Sequence, residues 1–171
     1  MVNAGTREAA RGTRHRLTVL FSDLAGSTAL AREIEAEHYA ELISKLREIW
    51  HQAATKHGGR VIRTQGDGAL AVFGYPLSGE DDGRRAAEAA LDIHEWARQL
   101  RHDYLPPAHS PLRMHSGIHA GTLLLTEGDI ESGRFDLVGD VVNTAAHLSQ
   151  QGCSGPDPRH PRRAWPVRKL L

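Results

Sequence analysis

The sequence predicts an α+β domain, a sheet with helices packed on one face. Three observations carry that expectation. Leu17-Thr18-Val19-Leu20-Phe21 is a mostly apolar run of strand length that ends on Ser22 and a lone carboxylate, Asp23. Two stretches show helical spacing of apolar residues. Between and after them lie short β-type segments separated by glycine turns, giving the order βα, ββ, α, ββ, β, α.

The elements follow in order. The first strand exits at Asp23, where a charge can leave the core. Gly26, Ser27 and Thr28 then form a loop of backbone donors at a helix start, a favourable seat for phosphate. Leu42, Ile43, Leu46, Ile49, Trp50 and Ala53 recur at helical spacing, predicting a helix over 36–57 that Gly58-Gly59 stops. Arg60 to Gln65 reads as a strand, Gly66-Asp67-Gly68 as a tight turn, and Ala69 to Phe73 as the returning strand. Gly74-Tyr75-Pro76 breaks it. Asp81 and Asp82 open a second helix with Ala86, Ala90, Ile93, Ala97 and Leu100 as its buried stripe. A loop with three prolines covers 105–111. Leu112 to His119 and Thr122 to Thr126 read as two strands parted by Ala120-Gly121. Gly128 to Arg134 is a polar loop, Phe135 to Val138 a short strand, and Val141 to Gln150 a helix start. Trp50 and Trp96 fall on or beside helix stripes, as core or interface residues.

Composition bounds the function. At 171 residues the chain fits one domain with a real core, and zero net charge supplies no global field for nucleic acid or an acidic membrane. The one cysteine, Cys153, rules out an internal disulfide framework or a thiolate metal cluster. No apolar run approaches the roughly 18–20 residues of a membrane span. Residues 1–15 are expected to be a flexible basic arm rather than a secretory signal, and a cytoplasmic location follows by default. Residues 16–150 form the domain. From Gln151 the text changes: four of the eight prolines, five basic residues and one acid fall in 151–171, which reads as a disordered tail. His115 and His119 are four apart on a predicted strand, about 13 Å at ~3.3 Å per residue, which argues against zinc. No P-loop pattern occurs.

The chemistry centres on two acids. Asp23 lies at a strand exit and Asp67 at a hairpin tip, points that an antiparallel sheet can bring together. A single aspartate in a turn is ordinarily a solvated turn residue. Two carboxylates held together repel unless cations sit between them. Beside a phosphate cradle, such a pair is the minimal equipment for two-metal phosphoryl transfer.

Four collinear motifs then carry a resemblance. They are Phe21-Ser22-Asp23-Leu24-Ala25-Gly26-Ser27-Thr28, Gly58 to Gly68 (GGRVIRTQGDG), Gly117-Ile118-His119-Ala120-Gly121, and Phe135-Asp136-Leu137-Val138-Gly139-Asp140-Val141-Val142-Asn143. In this order and spacing the chain resembles the catalytic domain of class III nucleotidyl cyclases, of bacterial type, from Arg16 to about Gln150. The resemblance implies a ferredoxin-like cyclase sheet and a head-to-tail dimer, homodimeric or formed with another cyclase domain. It implies that Asp23 and Asp67, with the carbonyl of Leu24, hold two Mg²⁺ or Mn²⁺ ions. It implies that Gly26, Ser27 and Thr28 bind phosphate, that Arg63 and Asp136 read the base, and that Asn143 orients the ribose. ATP is the implied substrate, cyclic AMP and pyrophosphate the products, in nucleotide signalling.

The chain departs from the family pattern at four places. Arg63 stands where ATP-using members usually carry lysine. His147 stands where the family has a transition-state arginine, and His115 where it has a triphosphate-binding arginine, both assigned to the half that complements the metal pair. Beyond Gln150 nothing resembles the family's later strands, so the C-terminal strands are expected to be missing through truncation or a frameshift. The alternative is a degenerate cyclase-like domain that binds nucleotide or dimerises as a regulator. A diguanylate-cyclase-like enzyme fits the motif order less well.

Overall fold

The computed structural model describes residues 12–100, 105, 111–126 and 140–151. The opening apolar run lies inside a longer strand, β1 (Gly12–Leu24). Two helices follow, a short α1 (Ser27–Glu33) and a long α2 (Ala36–Lys56). The hairpin β2 (Arg60–Gln65) and β3 (Gly68–Phe73) leads to α3 (Asp82–Gln99), then β4 (Met114–Thr126) and α4 (Asp140–Gln151). The sheet is antiparallel with the order β2-β3-β1-β4. β1 is therefore an inner strand, which is why its run is apolar on both faces.

Alternation sorts the sheet into two layers. Leu20 and Leu24 of β1, Ala69, Ala71 and Phe73 of β3 and Met114 of β4 face α2 and α3. On α2 the buried stripe is Leu42, Ile43, Leu46, Ile49, Trp50, Ala53 and Ala54. Each fully buried Leu or Ile there contributes roughly 1.5–3 kcal/mol. Gly58, at φ +72°, ends α2 in the left-handed conformation, and Gly59 N donates to Ala54 O at 2.7 Å. The alanines of α3 (Ala86, Ala89, Ala90, Ala97) are buried and let it lie close. The two helices are also tied by charge: Lys56 Nζ and His57 Nε2 reach Asp92 Oδ2 at 2.8 and 2.7 Å, and Lys56 lies 5.3 Å from the centroid of Trp96.

The other sheet face packs Leu17, Val19, Ile62, Leu70, Val72 and Leu123 with Val141 and Ala145 of α4. The expected one-face arrangement therefore holds for α2 and α3 only, and α4 covers the opposite side. Gly117 and Gly121 permit it. A Cβ on Gly121 would meet Val141 Cγ2 at 2.5 Å, and one on Gly117 would strike the α4 backbone.

Two boundaries differ from expectation. The segments 112–119 and 122–126 are one strand, because Ala120 and Gly121 stay in register with Thr18 and Leu17. Small residues there serve helix packing rather than a turn. Residues 12–15, expected in the arm, pair with 123–126 and extend the ladder. Residues 1–11, the polar loop 128–134, the strand at 135–138 with Asp136, and the tail from 152 lie outside the described residues.

Candidate active site

Asp23 is placed by the sheet. Its Cα partners are Gly68 on β3 and His115 on β4, so an inner strand delivers the acid to the sheet's end. Asp67 is placed by the hairpin. Gln65 pairs with Gly68, leaving Gly66-Asp67 as a two-residue loop, and Gly66 takes φ +58° at its first central position. The two strand ends are then locked together. Leu24 N donates to Asp67 O at 3.0 Å, and Ala25 N donates to Arg113 O at 2.9 Å.

The electrostatics of this corner are unusual. Asp23 Oδ1 is buried and has no hydrogen-bond partner. Burial raises the Asp23 pKa, the nearby His115 pulls it back, and the charge of Asp67 pushes it up again. His115 Nδ1 lies 3.7 Å from Asp23 Oδ1, an ion-pair separation too long for a hydrogen bond. A buried carboxylate oxygen left without a hydrogen bond beside a second carboxylate is stabilised by a cation. The residues therefore fit divalent metal. Among the described residues no group of three His, Cys, Asp or Glu converges as a metal cage. Two carboxylates would leave the remaining coordination to backbone, solvent and ligand oxygens, as hard cations accept.

Next to the acids the chain turns at Gly26, φ +71°, into Ser27 and α1. A left-handed residue suits glycine, and no atom lies within 4 Å of where its Cβ would be. Tyr39 of α2 reports how close this loop is to the acids. Burial raises its pKa, Asp67 raises it further, and a hydrogen bond with Ser27 lowers it. The structure thus gathers Asp23, Asp67, His115 and Ser27 at one corner. His115 thus stands beside Asp23 of its own chain, away from Asn143 and His147 on α4.

The remaining predicted residues lie elsewhere. Arg63 is exposed on β2, just past a bulge between Val61 and Arg63. Asn143 and His147 are exposed, one turn apart, on the face of α4 opposite its buried Val141, Ala145 and Ser149. Asp136 is outside the described residues. Sequence reasoning missed Tyr39, whose half-buried ring looked like ordinary helix packing, the half-buried His94 and the buried Ser116.

The family described as adenylate and guanylate cyclase catalytic domain matches residues 10–156. The chain belongs to this family. Its cyclase domain is 27% identical over 146 residues to guanylate cyclase soluble subunit beta-2 of Rattus norvegicus, covering 85% of this chain and 21% of the relative. The chain thus spans about a fifth of that relative's length. The adenylyl cyclase CyaB from P. aeruginosa superposes with TM-score 0.73 at 27% identity, over 84% of this chain and 76% of that one. The guanylyl cyclase Cya2 gives TM-score 0.70 at 27% identity, over 84% and 74%. Adenylyl and guanylyl cyclases therefore resemble this cyclase domain about equally, and no described helix is long and apolar enough to cross a membrane.

Proposed function

We propose that the chain converts ATP to cyclic AMP and pyrophosphate as an adenylate cyclase domain. The observation that carries this reading is the buried, unpartnered Asp23 Oδ1 set within the field of Asp67. Asp23 and Asp67, with the Leu24 carbonyl, would hold two Mg²⁺ or Mn²⁺ ions. When bound, such ions activate the ribose 3′-hydroxyl and neutralise triphosphate charge. The 3′-oxygen gives up its proton and bonds to the α-phosphorus, and the bond to the bridging oxygen of pyrophosphate breaks.

The chain's own groups orient that exchange. Gly26, Ser27 and Thr28 present backbone donors to phosphate oxygens. His115, beside Asp23, offers a ring N–H to the triphosphate. Asp136 accepts from the exocyclic amine of adenine while Arg63 donates to a ring nitrogen, which favours ATP over GTP. Asn143 and His147 sit on the exposed face of α4 and serve the metal pair of a second subunit in a head-to-tail dimer. Its partner is a second copy or another cyclase domain that supplies arginines in place of these histidines. Losing an arginine-type stabiliser costs roughly 10³–10⁵ in rate, and a histidine, charged only in part near neutrality, recovers some of it.

The test is product analysis of the purified full chain with Mn²⁺ and either ATP or GTP. Cyclic AMP from ATP, lost in Asp23→Ala, supports the reading. Cyclic GMP as the main product overturns the choice of nucleotide. No product, with an intact dimer and bound ATP, favours the regulator.

A further inference from the structure

The layer between the sheet and helices α2 and α3 is apolar at nearly every sheet position. Thr18 and Ser22 of β1 and Ser116 of β4 interrupt it. The two serines are cross-strand partners, so the two buried hydroxyls share one rung. Each is met by a ring nitrogen from a different helix. Trp50 Nε1 donates to Ser22 Oγ at 3.4 Å, and His94 Nε2 lies 3.0 Å from Ser116 Oγ. A hydroxyl in such a layer is costly unless it is paired, and an indole N–H can only donate.

The position of this rung matters. The adjacent rung is Asp23 with His115. Neighbouring residues on a strand point to opposite faces. The polar rung therefore lies directly behind the acid and the histidine, and it ties β1 to α2 and β4 to α3 at that level. A slip of β4 by one residue would turn Ser116 out of the layer and away from His94, while His115 swung inward.

We infer that His94 is a positioning residue: through Ser116 it fixes β4 so that His115 stands opposite Asp23. The inference deepens the proposed site and rests on the reading that Asp23 and His115 belong to it. A neutral His94 suits the role. Burial holds its pKa down at about 4, and the nearby His115 adds to the depression.

The test reads the His115–Asp23 juxtaposition without turnover, so it is independent of any cyclase assay. The imidazole ¹⁵N shifts of His115 are recorded at one fixed pH in the full chain, with and without Asp23→Asn. The response to Asp23→Asn is then measured again in His94→Leu, His94→Gln and Ser116→Ala backgrounds. The inference expects the response to fall to less than half in His94→Leu and in Ser116→Ala. In His94→Gln, which keeps a polar end for Ser116, it should be largely retained. Ser116→Ala is the mildest change and keeps the test open if His94→Leu does not fold. An undiminished response in either folded variant, or equal loss in His94→Gln and His94→Leu, overturns the inference.

Discussion

Gly117→Ala is expected to loosen α4 from the sheet. A Cβ at this position would stand 2.5 Å from Ser149 N, and nearer still to the Ala145 carbonyl oxygen. Both are backbone atoms of α4, so no side chain can swing aside. Ordinary contact begins near 3.4 Å, so relieving Ser149 N alone needs a retreat of about 0.9 Å and the nearer Ala145 oxygen needs more. Overpacking of this kind costs roughly 1–3 kcal/mol. For a chain of this size that lowers Tm by about 2–12 °C. Urea unfolding should show a lower midpoint with an unchanged slope. Gly26→Ala is the control: its Cβ meets nothing, so any cost there is backbone strain at φ +71°, roughly 1–2 kcal/mol. A Gly117→Ala protein with wild-type midpoint would show that α4 does not rest on the sheet as described. Asn143 and His147 ride on this helix, so its retreat should also lower turnover.

Asp23→Asn should stabilise the protein while abolishing cyclase turnover, because it removes a half-buried charge that burial and Asp67 disfavour more than His115 offsets; a thermal scan in EDTA checks it. Saturating Mn²⁺ should raise the wild-type Tm and leave Asp23→Asn unmoved, by about 2.7 kcal/mol at a hundred times Kd. His94, depressed from 6.5 to about 4, should make stability fall with acid. The unfolded chain takes up the proton first, so the contribution is whole above pH 6.5 and drains away as pH drops towards 4. At most it amounts to roughly 3 kcal/mol, and His94→Gln should flatten that slope in acid titrations of urea stability. His147→Arg should raise the rate of cyclic AMP formation; a folded variant with no gain counts against the transition-state role.

Much of this was legible in residue order. The apolar run into Asp23, the heptad-like stripe of α2 and the Gly66-Asp67 turn each have a local physical cause, and each element formed where that cause lies. Long-range packing was less legible. Ala120-Gly121 looks like a turn until α4 is seen lying on it, because a small residue says nothing about which neighbour needs the room. The same helix, judged by periodicity alone, could have gone to either face. That His115 stands beside Asp23 is set by the register of β4 on β1, which spacing along the chain does not reveal. The Trp50–Ser22 and Ser116–His94 pairs were invisible for that reason too: serines in an apolar strand show their partners only when the helices are in place.

The most direct measurement of the central claim is the rate of cyclic AMP formation by the full chain in Mn²⁺ and ATP, compared among wild type, Asp23→Asn and Asp67→Asn. The account predicts product from the wild type and none above background from either variant, with both variants folded. Equal rates in all three would contradict a metal pair built on Asp23 and Asp67.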